Sequence, residues 1–139
     1  MHLTEQQLAQ YCSRIGYQGS LQADLQTLQA LHLHHPHHIP FENLNSWLGL
    51  PVSLDPDVVF DKLVTQQRGG YCFEHNQLFA SVLTTIGFEV TGLAARVLWN
   101  LPADAQPPRT HQTLLVGTGS NRYLADVGFG GLTPLGPVQ

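Results

Sequence analysis

The chain has 139 residues, of which 42% are hydrophobic, and this predicts one compact domain with a substantial core and not a disordered chain. The formal net charge is −4 with only six lysine and arginine residues, so neither nucleic acid nor an anionic membrane is an expected partner. The polar N-terminus, the lack of a membrane-length apolar run and the two cysteines predict a soluble protein in a reducing cytoplasm.

The first half of the chain has the hydrophobic period of amphipathic helices. Thr4 and Gln7 form a capping box for a first helix, which carries one apolar stripe. A second stripe starts at Leu21, and the helix that carries it is predicted to end at Pro36 because proline lacks the N–H that a helix interior requires.

Two further helices are predicted from their start and stop signals. Asp55 is a good N-cap, and Pro56 after it suits the first helical position. A strongly periodic helix then begins near Cys72 and is closed by Gly87.

Beyond this helix the hydrophobic pattern changes to that of strands. Residues 89–99, 110–116 and 121–127 are predicted strands, and residues 117–120 are the predicted turn between the last two. Helices followed by antiparallel strands predict an α+β fold. Such a small sheet has exposed edges, which suggest self-association or pairing with a further part of a larger protein.

Three residues suggest a nucleophile, its base and an orienting carboxylate: Cys72, His111 and Asp126. Cys72 follows two glycines at a predicted helix N-terminus, where the helix dipole and a nearby imidazolium favour a thiolate. Each residue also has a structural interpretation. Cys72 would be an inert buried cysteine, His111 a solvent-facing strand residue and Asp126 a turn former. Cys12 lacks such a context and is expected to pack in its helix.

The predicted hairpin offers a geometric check of this hypothesis. If residues 117–120 form the loop, Val116 pairs with Asn121 and His111 lies opposite Asp126. Directly opposed side chains lie on one face of a sheet, whereas a slip by one residue would place them on opposite faces.

The residues that flank Cys72 have both structural and supporting interpretations. Arg68 and Glu74 are expected either to form a surface ion pair or to place charge favourably near the helix dipole. The alternative that we favour is that Glu74, together with Asn76, supports the loop around the cysteine.

Five histidines within seven residues form a second candidate site. Such a cluster can bind zinc or nickel, but Pro36 interrupts the helical spacing that would align a ligand pair. We therefore predict no specific metal site and interpret the cluster as a polar helix end and loop. Its members are His32, His34, His35, His37 and His38.

Four segments together resemble the arylamine N-acetyltransferases, including the bacterial N-hydroxyarylamine O-acetyltransferases. They are Ile39–Leu44 (IPFENL), Arg68–Asn76 (RGGYCFEHN), Arg109–His111 (RTH) and Asp126–Gly131 (DVGFGG). The resemblance covers nearly the whole chain and implies a papain-like fold. Within it, residues 1–88 would form a helical bundle with the nucleophile, and residues 89–139 the start of a β-barrel domain with the histidine and aspartate.

The resemblance also implies a chemistry. Cys72 would attack acetyl-coenzyme A, a substrate and not a bound cofactor, and an arylamine, arylhydrazine or N-hydroxyarylamine would take the acetyl group from the acetyl-cysteine. His111 would be the base and Asp126 its partner. By the same resemblance, Phe41 and Phe129 border the acceptor site, and Thr110 and Gly130 lie near coenzyme A.

The chain is shorter than members of this family, so the resemblance implies an N-terminal fragment or a truncated homologue. Two alternatives remain open from the sequence. One is another acyl transferase or hydrolase that uses cysteine, histidine and aspartate, and the other is a folded but catalytically silent fragment.

Overall fold

A computed structural model describes residues 2–102 and 104–139. The elements in chain order are α1 (Glu5–Arg14), α2 (Leu25–His38), α3 (Leu44–Trp47), α4 (Pro56–Phe60), a π-helical segment (Asp61–Thr65), α5 (Cys72–Ile86), β1 (Glu89–Ala95), β2 (His111–Thr118) and β3 (Asn121–Ala125). Helices therefore precede an antiparallel sheet, and the predicted α+β class is confirmed. None of the helices within the described residues is long and apolar enough to cross a membrane.

The residues predicted to cap the helices form capping hydrogen bonds in the structure. The Thr4 hydroxyl accepts from the Gln7 N–H, and the Gln7 side chain accepts from the Thr4 N–H. The Asp55 carboxylate accepts from the first N–H groups of α4. Helix α5 ends at Gly87, whose φ of 111° lies in the left-handed region that glycine tolerates best.

The prediction that α2 ends at Pro36 is wrong, because the helix continues to His38. Pro36 lacks the N–H that would donate to the carbonyl four residues earlier, and the last turn of the helix tolerates the loss of this one hydrogen bond. The Nδ1 atoms of His37 and His38 hydrogen-bond to carbonyls one turn earlier, at 2.6 and 2.9 Å. The Ile39 N–H also donates to the His35 carbonyl at 2.9 Å, so the last turn stays closed.

The sheet has the order β1-β2-β3, with both neighbouring pairs antiparallel. The predicted four-residue turn is wrong: Thr118 pairs with Asn121, and only Gly119 and Ser120 connect the strands. The register therefore differs by two residues from the predicted one. Since side chains alternate with a period of two, this difference leaves His111 and Asp126 on the predicted common face.

Two other features of the sheet differ from expectation. The first strand ends at Ala95, four residues earlier than predicted. The exposed edge of β3 is partly paired, because Leu124 exchanges two backbone hydrogen bonds with Val138, at 2.7 and 2.8 Å.

One hydrophobic core joins the helices to the sheet. It contains side chains from α1, α2, α5, β2 and β3, and α5 packs against both β1 and β2. Representative members that are fully buried are Tyr11, Leu28, Phe79, Leu114 and Ala125. Through this packing, the start of α5, the start of β2 and the end of β3 lie next to each other.

A buried ion pair anchors the start of α5. Lys62 Nζ lies 2.7 Å from Glu74 Oε1, with the two side chains only 9% and 4% exposed. Glu74 Oε2 also accepts from the Tyr71 N–H at 3.0 Å. Arg68 instead pairs with Glu42 at 2.9 Å, and that carboxylate also lies 3.7 Å from Lys62. The interpretation of Glu74 as a surface charge is therefore wrong.

Replacing Lys62 by methionine is expected to destabilise the protein by about 3–5 kcal/mol, because it leaves the Glu74 carboxylate buried without a partner. The double variant Lys62→Met/Glu74→Gln removes that charge and should recover much of the loss in urea unfolding. Arg122→Met breaks an exposed pair with Glu89 and serves as the control, with an expected change below about 1 kcal/mol. Equal losses in the single and double variants would contradict this account.

The backbone at Gly69, shortly before Cys72, lies too close to the Pro40 carbonyl to accept a side chain. A Cβ there would lie 2.0 Å from the Pro40 carbonyl oxygen. Gly69→Ala is therefore expected to lower the free energy of unfolding by about 1–3 kcal/mol through overpacking, measured by chemical denaturation. Gly136→Ala is the matched control, since its Cβ would meet nothing within 4 Å, and a similar loss there would refute the steric explanation.

Candidate active site

Cys72 is the first residue of α5, and Tyr71 separates it from Gly69 and Gly70. Gly70 is held by a parallel bridge with Phe41 and accepts from the Glu42 N–H at 2.8 Å. On the other side of Cys72 lies the backbone of Gly128, and a Cβ at Gly128 would be 3.0 Å from the Cys72 backbone. The cysteine thus lies at a helix N-terminus, enclosed by backbone that only glycine permits to come so close.

His111 and Asp126 are joined by a hydrogen bond across the hairpin. His111 begins β2, Asp126 follows β3, and Nε2 of the ring lies 2.5 Å from Oδ2 of the carboxylate. They are diagonal neighbours, two residues out of direct opposition, which is within reach of long side chains. His111 is buried at 7% exposure, so its interpretation as a solvent-facing residue is wrong.

The histidine also interacts with the cysteine. The hydrogen bond that His111 donates to Asp126, followed by the interaction with the Cys72 sulfur, raises the pKa of His111 to about 9 although burial lowers it. Because Asp126 occupies Nε2, the ring nitrogen left for Cys72 is Nδ1. The Cys72 sulfur lies 4.0 Å from the Thr110 carbonyl oxygen, at the start of β2. The arrangement can hold a proton on the imidazole beside the sulfur.

Asp126 is held in its charged form by several donors. Burial would raise its pKa, but the hydrogen bonds from His111, Asn76 and the Gly128 N–H lower the pKa below its ordinary value. Asn76 Nδ2 lies 3.0 Å from Oδ1 of the carboxylate and 2.7 Å from the Gln112 carbonyl. Asn76 therefore connects α5 to both strands of the hairpin.

His32 contacts the Asp126 backbone, which the sequence did not reveal. Its Nε2 accepts from the Asp126 N–H at 3.1 Å, and burial lowers the pKa of His32 to about 4, so the ring is neutral as this bond requires. Nδ1 of the ring is buried and has no hydrogen-bond partner among the residues that the structure describes. The interpretation of this histidine as part of a polar helix end is wrong. The helical spacing from Leu28 to His32 and His35 would have placed both rings on the inner face.

A cleft of about 290 Å³ opens beside the cysteine. Three predicted binding residues line it, Phe41, Phe129 and Thr110, and the Phe129 ring meets His111 edge to face at 5.4 Å. Gly130 instead lies in a neighbouring cavity that Phe41 also lines. A Cβ at Gly130 would approach the Phe41 ring to 3.6 Å. The residues lining the cleft that the sequence did not suggest are Val97, Trp99 and Gly128.

The remaining candidates lie outside this site. Within residues 2–102 and 104–139, no three histidine, cysteine, aspartate or glutamate side chains are grouped to hold a metal ion. Cys12 packs partly buried against the core, and burial raises the pKa of its thiol.

Comparison with known proteins places these features in one family. The family model described as N-acetyltransferase matches residues 24–139. The arylamine N-acetyltransferase of Mycobacterium tuberculosis is 50% identical over 137 residues, covering 95% of this chain and 48% of the relative. The arylamine N-acetyltransferase / N-hydroxyarylamine O-acetyltransferase of Salmonella typhimurium is 43% identical over 129 residues, covering 93% of this chain and 46% of the relative.

The structural comparison agrees with the sequence comparison. The Mycobacterium marinum arylamine N-acetyltransferase, solved in complex with CoA, matches with a TM-score of 0.89 and 44% identity, covering 95% of this chain and 50% of that one. The chain thus spans about half the length of the relatives that it matches. Because the family model matches most of the chain, residues 24–139, the chain belongs to the N-acetyltransferase family.

Proposed function

We propose that this chain transfers an acetyl group from acetyl-coenzyme A to an arylamine, an arylhydrazine or an N-hydroxyarylamine through an acetyl-cysteine at Cys72. The observation that carries the proposal is that His111 interacts with both Cys72 and Asp126 at the wall of an apolar cleft. The names of the relatives and the CoA complex of the M. marinum protein support the donor and the acceptor class.

The proposed reaction has two half-reactions. His111 takes the Cys72 proton, and the thiolate attacks the thioester carbonyl carbon of acetyl-coenzyme A. The new carbon–sulfur bond forms as the bond to coenzyme A breaks, and the departing thiolate takes the proton from His111. The acceptor then attacks the acetyl-cysteine, gives its proton to the imidazole, and the Cys72 thiol is restored.

The remaining residues have supporting roles in this proposal. Asp126 holds the His111 ring in the required tautomer and stabilises its charged form. Phe41 and Phe129 contact the aromatic ring of the acceptor from the cleft wall. Thr110 contacts coenzyme A at the cleft, and Gly130 does so from the neighbouring cavity.

We further infer a papain-like division of labour. The helical part, residues 1–88, carries the nucleophile at a helix start, and residues 89–139 carry the histidine and aspartate on a sheet. A reducing cytoplasm suits this mechanism because Cys72 must remain a free thiol, and both cysteines are free. Self-association through the sheet is supported by β1, whose outer edge has no strand partner among the described residues.

The first half-reaction is tested by the intact mass of the purified chain after incubation with acetyl-coenzyme A. We expect one acetyl increment in the wild type and in Cys12→Ser, and none in Cys72→Ser, because only Cys72 lies beside an imidazole base. An increment that persists in Cys72→Ser would refute the assignment of the nucleophile. No increment in a wild-type chain with a cooperative melt would instead support the catalytically silent alternative.

The raised pKa of His111 predicts a pH-dependent stability. A group with a pKa of about 9 when folded and 6.5 as its ordinary value stabilises the fold fully below pH 6.5, and this contribution is lost as the pH rises through 9. The excess stability of wild type over His111→Gln in urea unfolding should therefore be largest near about pH 6 and shrink toward about pH 9.5.

The control for this measurement is His2→Gln, which changes an exposed histidine remote from the site. Its difference from wild type should not follow the same course with pH. A His111→Gln difference that stays constant, or grows as the pH rises, would show that the Asp126 contact does not favour the charged imidazole.

A further inference from the structure

Three buried side chains from three helices form one continuous chain of hydrogen bonds behind the cleft. The Tyr11 hydroxyl of α1 lies 2.8 Å from Nδ1 of His35 in α2, and Nε2 of His35 lies 2.9 Å from Nδ1 of His75 in α5. Nε2 of His75 then lies 3.3 Å from the Pro40 carbonyl oxygen. The three side chains are at most 1% exposed, so water does not compete for these bonds.

The carbonyl at the end of this chain determines the direction of every bond in it. A carbonyl oxygen can only accept, so Nε2 of His75 carries a proton and its Nδ1 accepts in a neutral ring. Nε2 of His35 must then donate to His75, and its Nδ1 must accept from the Tyr11 hydroxyl. A single arrangement of protons therefore satisfies all three hydrogen bonds.

The protonation equilibria agree with this arrangement. Burial raises the pKa of Tyr11 well above its ordinary value and lowers the pKa of His35 well below it. Burial is also the main cause that lowers the pKa of His75 to about 4, to which nearby Lys62 contributes. Near neutral pH, each of the three groups is uncharged.

The end of the hydrogen-bond chain reaches the wall of the cleft. The Pro40 carbonyl accepts from the Gly70 N–H at 3.3 Å as well as from His75. The next residue, Phe41, lies with its ring parallel to that of His75, with an interplanar angle of 7° and centroids 6.2 Å apart. Phe41 also lines the cleft that contains Cys72.

We propose that His75 is a positioning residue, fixed in one neutral tautomer by the Pro40 carbonyl and held in place by Tyr11 and His35, and that it holds Phe41 against the cleft and thereby sets the affinity for an aromatic group beside Cys72. This inference rests on the proposed function, because it assigns the aromatic acceptor to the Phe41 side of the cleft. It adds how that wall is held, through hydrogen bonds that run from Tyr11 in α1 through His35 in α2 to His75.

The consequence of breaking the chain is specific. Without the Tyr11 hydroxyl, Nδ1 of His35 is a buried acceptor that lacks its donor, and the His35 ring loses one of the two hydrogen bonds that fix its position against His75. The Pro40 carbonyl still requires a proton on Nε2 of His75, so the change is a looser placement of the His75 ring and not a reversed tautomer. Phe41 then loses the support that the ring provides, whereas Cys72, His111 and Asp126 keep their own contacts.

The test compares two reagents of the same chemistry, N-phenylmaleimide and N-methylmaleimide, in their rates of alkylating Cys72. Mass spectrometry of tryptic peptides separates Cys72 from Cys12, because Arg14, Lys62 and Arg68 lie between or beside them. We expect Tyr11→Phe to lower the phenyl-to-methyl rate ratio by about fivefold, the effect of one lost hydrogen bond, with the methyl rate nearly unchanged. Tyr17→Phe removes a hydroxyl that donates to the Ser20 carbonyl and should leave the ratio at the wild-type value.

A spectroscopic readout accompanies the rates. The imidazole ¹⁵N shifts should report protons on Nε2 of both His35 and His75 in wild type and in Tyr11→Phe, and the Nδ1 shift of His35 should change in Tyr11→Phe because this nitrogen loses its hydrogen-bond donor. If Tyr11→Phe does not fold, His75→Gln and His75→Leu replace it. Glutamine retains an N–H for the Pro40 carbonyl and should keep a higher ratio than leucine.

Four outcomes overturn the proposal. They are a ratio in Tyr11→Phe equal to that in Tyr17→Phe, equal changes in both alkylation rates, equal ratios in the two His75 variants, and a proton on Nδ1 of His75 in wild type. None of these measurements uses acetyl-coenzyme A. A wild-type chain that takes no acetyl group but shows the expected change in ratio would therefore refute the proposed acetyl transfer and not the positioning role of His75.

Discussion

The first turn of α5 holds the site together, because consecutive residues of a helix point about 100° apart and so reach different neighbours. Glu74 turns toward the π-helical segment and pairs with Lys62. His75 turns toward α2 and meets His35, and Asn76 turns toward the hairpin and holds Asp126. Cys72 stands at the open end of the same turn. A displacement of this turn would move the nucleophile and disturb all three attachments at once.

The buried charges in this region are neutralised in two different ways. Glu74 forms a buried ion pair with Lys62 at 2.7 Å, so its role is structural and the pair offsets its cost of burial. Asp126 is paired with a histidine whose proton can leave, and its other oxygen is held by Asn76 and the Gly128 N–H. The carboxylate therefore remains charged and correctly placed when the imidazole changes its protonation state.

Four buried histidines illustrate how surroundings decide the chemistry of one residue type. His32, His35 and His75 face neutral partners in the core, and burial lowers the pKa of each of them. His111 is also buried, but the adjacent carboxylate and sulfur raise its pKa instead. His35 and His75 transmit hydrogen bonds in a set direction, His32 accepts one, and His111 is the ring among these four that is suited to exchange a proton near neutral pH.

The sequence by itself determined the class of fold, the starts of α1, α4 and α5 and the end of α5. It also identified Cys72 and His111, which line one cleft, and Asp126, which contacts His111. Capping residues, glycines and a change of hydrophobic period act locally, so they can be recognised without the rest of the chain. The common face of His111 and Asp126 was also predictable, because a register error of two residues does not change the face of a side chain.

The tertiary structure alone decided which partners the buried polar residues have. His32 and His35 of α2 find their hydrogen-bond partners in other elements, namely Tyr11 in α1, His75 in α5 and the Asp126 backbone. The pairing of Lys62 with Glu74 similarly joins residues whose proximity comes from packing. A buried polar group is stable only where a distant hydrogen-bond or charge partner meets it, and its own sequence neighbourhood does not contain that information.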